Sequence, residues 1–417
     1  MQTLTQVACT VCGCVCDDLT VTVSDNRITS VTPYCPLAET WFLKQNTQNV
    51  SSAMIDGEEA PFEAALGRAS AILAKSKALL IYGLSRSTTE GQRAAIALAE
   101  KLGGSIDTTA ATGHAPSLMA LQQVGESTCS LGEVKNRADL VIYWRSNPIK
   151  THPRHMERYA VDPRGMFVPN GKADRHVVVI DGQPTESSQH ADRFIPVDPD
   201  ADWEMLWTLR GLVAGIIRDA PESWQELADW MKRCRFGIIF FGGDLARDHL
   251  GHRNIEALLQ LVTDLNAYTR FYARRMRRFG DVAGADSVLT WQTGDPFGVQ
   301  FGRGYPRYNP GEFSAPALLE RGEIDCCLFV GSETSEQFPA QALEHLRRIP
   351  TISLDNPGTE PPVPATVRFT TAVYGVHRKG TAYRMDEVPI PLKELLTTEY
   401  PSDGEVLTAL LQRLATN

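Results

Sequence analysis

Short apolar runs recur along the chain, several of them closed by glycine or aspartate: "ALLIYG" (78–83), "DLVIYW" (139–144), "HVVVID" (176–181), "GIIFFG" (237–242), "CCLFVG" (326–331) and "TISLD" (351–355). Compact runs of this length, apolar at successive positions, predict parallel strands buried on both faces. Between them apolar residues fall at helical spacing. "HRNIEALLQLVTDLNA" sets Ile255, Leu258, Leu259, Val262 and Leu265 on one face, and "TEGQRAAIALAEKLGG" ends on the stop signal Gly103-Gly104. The first fifty residues follow a different rule. "DLTVTVSDNRITSVTP" alternates apolar and polar positions around Ser24-Asp25-Asn26, which predicts a β-hairpin.

The strand-and-turn pieces occur twice in the same order. "LLIYGLSRS", "ADLVIYWRSNP" and "VVVIDGQPTES" match "GIIFFGGDLA", "IDCCLFVGSET" and "TISLDNPGTEP". The expected class is α/β: a small N-terminal β-rich cysteine module (1–52) and two duplicated doubly wound α/β domains, 53–235 and 236–417, with parts of the chain interleaved. The second domain carries an insertion at 270–313, rich in Gly, Pro, aromatics and Arg and poor in periodicity. Doubly wound sheets bind ligands beyond the carboxyl ends of their strands. The loops after Gly83, Trp144, Asp181, Gly242 and Gly331 are therefore the expected cofactor loops.

Composition narrows the function. The 417-residue chain has a formal net charge of -9, so no general attraction to nucleic acid or acidic membranes is expected. No apolar run approaches the roughly 20 residues needed to cross a bilayer. "MQTLTQVACTVC" lacks the basic region and apolar core of a secretion signal. The expectation is a cytoplasmic protein whose nine cysteines are thiols or metal ligands.

"ACTVCGCVCDD" carries Cys9, Cys12, Cys14 and Cys16, and Cys35 follows beyond the hairpin, directly before Pro36. Cys9, Cys12, Cys16 and Cys35 suit a four-thiolate site, either a [4Fe–4S] cluster or zinc, with Cys14 as the extra cysteine. A triplet with one distant Cys-Pro fits the cluster better than paired zinc knuckles. Cys129, Cys234, Cys326 and Cys327 are scattered and read as buried thiols. Arg270, Arg274, Arg275, Arg277 and Arg278 form a dense run suited to an anionic ligand or a partner surface. His114, His152 and His155 are isolated enough that a hydrogen-bonded structural role is the default.

Several segments together resemble the B subunit of formylmethanofuran dehydrogenase, in the molybdopterin oxidoreductase superfamily: "CTVCGCVCDD", "LMALQQVGESTCSLGEVKNRADLVIYWRSNPIKTHPRHM", "LTWQTGDPFGVQFGRGYPRYNPGE" and "GTAYRMD". The resemblance implies a molybdopterin-oxidoreductase-like fold with a [4Fe–4S] cluster. It also implies a tungsten- or molybdenum-pterin held by a cysteine that directly precedes a histidine. The histidine matches His114, but Gly113 occupies the cysteine position. The family's active-site arginine matches Arg277, and Phe279 stands where a further histidine is expected. Lacking the thiolate, the chain resembles more specifically the B subunit of the formyltransferase/hydrolase complex of methylotrophic bacteria. That implies a non-catalytic scaffold with no tungsten- or molybdenum-pterin. Its partners would be an amidohydrolase-like subunit, a formyltransferase and a further subunit. The alternative is an active pterin-metal redox subunit that uses the cluster.

Overall fold

The computed structural model describes residues 1–46, 50–247 and 251–415. The chain divides into two compact units, Met1–Gly113 with Phe279–Asn417 (unit 1), and His114–Arg278 (unit 2).

Unit 1 opens with a three-stranded antiparallel sheet, Gln2–Val7, Leu19–Ser24 and Arg27–Thr32, which contains the expected hairpin. Its main sheet has nine strands. The five central strands are parallel and run Ser105–Thr108, Leu79–Gly83, Cys326–Val330, Thr351–Asp355, Val367–Thr370 across the sheet. Numbered along the chain, that order is 2-1-3-4-5, one of the doubly wound orders, with its switch point between Leu79–Gly83 and Cys326–Val330. Side chains alternate as a doubly covered strand requires. Leu79 and Ile81 pack into one core, and Leu80 and Tyr82 into the core on the opposite face. Gly83 ends its strand at φ 116°, where a Cβ would stand 2.3 Å from the Val330 carbonyl oxygen, so only glycine fits.

Unit 2 holds a five-stranded, all-parallel sheet in the spatial order Arg193–Pro196, His176–Asp181, Leu140–Trp144, Phe236–Phe241, Arg270–Arg275. Along the chain this is 3-2-1-4-5, with the switch point between Leu140–Trp144 and Phe236–Phe241. Both units are thus doubly wound, as expected, with different strand orders.

The grouping of strands differs from the expected boundary at 235/236. Phe236–Phe241, assigned to the second domain, pairs with Leu140–Trp144 of the first. Leu79–Gly83 pairs instead with Cys326–Val330. The 270–313 segment is also more regular than expected. Arg270–Arg275 is the edge strand of the unit 2 sheet, Val282–Thr293 is a helix, and Val299–Gln300 extends the unit 1 sheet antiparallel to Ser105–Thr108. Among the described residues, no helix is long and apolar enough to cross a membrane.

Candidate functional site

The cysteine loop leaves the strand Gln2–Val7 and folds back on itself. The Cys9 amide donates to the Cys16 carbonyl at 2.8 Å, and the Val15 amide to the Cys12 carbonyl at 3.1 Å. Cys35 arrives at the end of the hairpin as the N-cap of the helix Pro36–Lys44, with Pro36 in its first turn. The Cys35 carbonyl accepts from the Glu39 amide at 2.9 Å, the first hydrogen bond of that helix. The loop thiols are neighbours: Cys9 lies within electrostatic range of Cys12, Cys16 and Cys35. Burial, followed by the fields of Cys12 and Cys16, pushes the Cys9 thiol well up. Burial likewise raises Cys35. Among the described residues, no group of three or more His, Cys, Asp or Glu side chains is placed so that it could hold a metal ion. Cys129, Cys326 and Cys327 are buried thiols, as expected, and Cys234 is half-buried.

The loop is seated at the switch point of the unit 1 sheet. Arg86, in the loop after Leu79–Gly83, donates from Nη1 to the Thr10 carbonyl at 3.1 Å and pairs with Glu333, after Cys326–Val330, at 3.3 Å. Its guanidinium lies 5.5 Å from the centre of the Phe279 ring. The buried Tyr374 hydroxyl bridges the Thr10 carbonyl (3.3 Å) and the Ser85 carbonyl (3.2 Å). Asp281 accepts from the amides of Tyr383 and Gly284 and from Gln92 Nε2, fixing the start of the helix Val282–Thr293. Sequence reasoning did not single out Arg86, Tyr374 or Asp281. The only signal was an arginine placed directly after a buried strand.

Gly113 is exposed at the end of the first segment of unit 1. A Cβ placed on it meets no atom within 4 Å. Space therefore does not dictate glycine here, and what the position lacks is a donor. His114 opens unit 2 as the N-cap of the helix Ala115–Val124 and is half-buried.

The arginine run is only partly a surface. Arg270 and Arg278 are exposed, whereas Arg274, Arg275 and Arg277 are buried. Arg274 Nη2 donates to Thr128 Oγ1 at 2.6 Å, and Arg275 Nη2 pairs with the equally buried Glu126 at 3.1 Å. The Arg277 carbonyl accepts from His152 Nε2 at 2.7 Å, while His152 Nδ1 accepts from Thr151 Oγ1 at 2.8 Å. His152 is therefore the neutral Nε2–H tautomer. His155 Nδ1 meets the Tyr143 hydroxyl at 3.1 Å. Both histidines are structural, as the default reading holds.

Burial pushes His152 down to about 4 and His155 down to about 3. Both values lie below the unfolded one of 6.5, so the stability they contribute is present above pH 6.5 and is lost as pH falls towards their folded values. Lowering the pH from 7 to about 5 should cost unit 2 roughly 2 kcal/mol per histidine. Amide exchange of Leu140–Trp144, corrected for intrinsic rates, measures this. Unchanged protection would contradict it.

No protein-family model matches the chain. The B subunit of the tungsten-containing formylmethanofuran dehydrogenase 2 of Methanocaldococcus jannaschii is 37% identical over 433 aligned positions, covering 99% of both chains. The chain belongs to the family of formylmethanofuran dehydrogenase B subunits. The corresponding protein of Methanococcus maripaludis is 36% identical with the same coverage. The B subunit of the formyltransferase/hydrolase complex of Methylorubrum extorquens is 26% identical and covers 67% of this chain and 75% of its own. The crystal structure of that complex, FhcABCD with methylofuran, contains a chain that superposes with a TM-score of 0.73 at 24% identity, covering 87% of this chain and 99% of its own. Acetylene hydratase from Pelobacter acetylenicus gives 0.68 at 10% identity, covering 98% of this chain and 69% of its own. These two likenesses show that the chain shares the fold of those structures. The family assignment supports a B-subunit role in one-carbon metabolism within a hetero-oligomeric complex.

Proposed function

We propose that this chain is the scaffold subunit of a complex that moves a formyl group from formyl-tetrahydromethanopterin to a methanofuran-type carrier and hydrolyses it to formate. The chemistry would reside in the amidohydrolase-like and formyltransferase partners, with a further subunit completing the assembly. Gly113 carries this reading. Where the family resemblance implies a metal-binding cysteine, the chain has no side-chain donor in a position with room for one. A thiolate-held tungsten- or molybdenum-pterin does not fit these residues.

The spacing of four cysteines supports a four-thiolate site. Cys9 feels the charges of Cys12, Cys16 and Cys35, and Cys35 is the N-cap of the helix that follows the hairpin. These residues would hold a [4Fe–4S] cluster, whose chemistry is one-electron transfer; a structural zinc has the same donor requirement. This chain's part is to bury the sulfurs and to clamp the loop through Arg86 and Tyr374.

The full-length identity to tungsten-containing subunits favours a second reading, an active redox subunit whose pterin metal has no protein thiolate. Metal and pterin analysis of the purified complex separates the two. The scaffold reading expects neither tungsten nor molybdenum; stoichiometric metal with pterin would overturn it. Gly113→Cys should fold within about 1 kcal/mol of the parent, as exposed substitutions do. It should also add one thiol that titrates rapidly with a disulfide reagent. Loss of fold in that variant would contradict the open space at this position.

A further inference from the structure

The amino-terminal end of the unit 2 sheet, opposite the strand ends where doubly wound sheets hold ligands, carries an apolar tip. The tip is the turn at 165–168, with Met166 77% and Phe167 44% exposed. The backbone beneath these side chains is firmly held. Gly165 and Val168 bridge across the turn. The Phe167 amide donates to the Asn136 carbonyl at 2.9 Å, and the Met166 amide to Asn136 Oδ1 at 3.2 Å. The buried Arg175 ties the two flanks together, donating to the carbonyls of Pro163 at 2.7 Å and Lys135 at 2.8 Å. A Cβ on Gly165 would stand 2.2 Å from the Lys135 carbonyl oxygen, so the turn is pressed against that segment. Two apolar side chains are thus displayed on a fixed backbone, which lowers the ordering cost of docking.

Three arginines share this end. The Arg137 guanidinium lies over the Phe167 ring, 4.6 Å from its centre. Arg235 Nη2 donates to the Phe167 carbonyl at 3.2 Å. Arg270 opens the adjacent strand, in register with Phe236, the residue after Arg235. Arg235 is balanced by Asp139 at 3.0 Å. Glu133, one helical turn before Arg137, is engaged in its own cap and accepts from the Ser130 amide at 2.9 Å. Among the described residues, Arg137 and Arg270 have no ion-pair partner. In a chain of net charge -9, this end sets two uncompensated positive charges beside an apolar tip.

We propose that this end of unit 2 is a docking surface for an acidic face of another subunit of the complex, with Met166 and Phe167 entering an apolar recess among its carboxylates. The inference holds whether the chain is a scaffold or a redox subunit, since both readings place it among partner subunits. The tip supplies affinity, as a few central anchors do at most interfaces. Arg137 and Arg270 select the acidic partner and steer its approach. The unbranched, polarizable methionine suits an irregular recess.

The test uses the assembled complex. With hydrogen peroxide, Met166 should form its sulfoxide at least about tenfold more slowly than the same methionine in a short peptide, because a docked thioether is shielded. Raising the salt concentration should weaken subunit association about tenfold, the scale of two rim charge pairs, and Arg137→Glu with Arg270→Glu should do the same. Each should return Met166 towards the peptide rate. Oxidation at the peptide rate in the parent complex would overturn the inference. So would protection that neither salt nor the double variant relieves, because the partner surface would then not be acidic. Protection that rises with the concentration of the isolated chain would make the occupant a second copy, and protection removed by nuclease would make it a nucleic acid; either result also overturns the inference.

Discussion

Arg145→Met is expected to destabilise unit 2 by about 3–5 kcal/mol, the scale for breaking a buried ion pair from one side. Arg145 follows the strand Leu140–Trp144 at φ 48°, a conformation rarely held by a non-glycine residue. Its guanidinium is fully used. Nε meets Asp202 at 2.9 Å, Nη1 meets Asp181 at 3.3 Å, and Nη2 donates to the carbonyls of Val197 and Asp198, each at 2.8 Å. Asp202 is buried, and its other donor is Trp144 Nε1 at 2.8 Å. Burial already pushes the Asp202 carboxyl up with Arg145 in place. Without the guanidinium that buried carboxyl would lose its ionic partner, and the Val197 and Asp198 carbonyls would lose their donor. Arg145→Lys should recover only part of the loss, since an ammonium cannot reproduce the planar fork across four partners. Urea unfolding of the three proteins measures this. A loss below about 1 kcal/mol in Arg145→Met would mean that the fork is not the anchor of this loop.

Gly280→Ala should have an effect of similar size, by a different route. A Cβ at Gly280 would lie 1.9 Å from the Thr10 carbonyl oxygen and 2.6 Å from its carbon. These atoms are backbone, held by Arg86 and Tyr374, and cannot swing aside as a side-chain tip would. Overpacking of this kind costs about 3 kcal/mol, or displaces the segment. Because Thr10 adjoins Cys9, the displaced segment is the cysteine loop. The variant should melt earlier, and the Cys9 thiol, now buried, should react faster with a thiol reagent. Unchanged melting and unchanged reactivity would show that the loop is not seated by this contact. The contrast with Gly113, where an added Cβ meets nothing, makes the pair informative: one glycine is required by packing and the other is not.

Local pattern was enough to find the six buried strands, the hairpin and the stop at Gly103, which adopts φ 64° behind the helix Thr89–Leu102. These features depend on neighbours in sequence. Strand pairing does not. The runs at 78–83 and 237–242 look alike, and nothing in their periodicity says that one joins 326–330 and the other 140–144. The strand Ser105–Thr108 was missed because it reads as polar, yet it is fully buried. Its Asp107, pushed up to about 7 by burial, accepts the amides of Thr108, Gly298 and Ala315, two of them far along the chain. Arg270–Arg275 was read as part of an irregular arginine insertion because charge obscured its alternation. Phe271 and Ala273 point into the core, while the longer arginines find partners of their own. In the site, the cysteines were legible from spacing alone and Gly113 from the resemblance. Arg86, Tyr374 and Asp281 were not, because each acts through backbone atoms of distant residues.

The discontinuity of unit 1 bears on the order of events during synthesis. His114–Arg278 is one unbroken stretch, so unit 2 can close while the chain is still being made. Unit 1 must wait. Leu79–Gly83 emerges early with one flank of its sheet missing, and its neighbour Cys326–Val330 is translated only after all of unit 2. Further ties come later still: the Val50 amide is held by the Tyr400 hydroxyl 350 residues on, and Glu63 pairs with Arg413. Throughout that delay the nascent strand shows an unpaired, wholly apolar edge, the kind of surface that invites aggregation. A nascent chain arrested once residue 278 has cleared the ribosomal exit tunnel should therefore hold a protease-resistant unit 2 behind an N-terminal segment still open to cleavage and to chaperones.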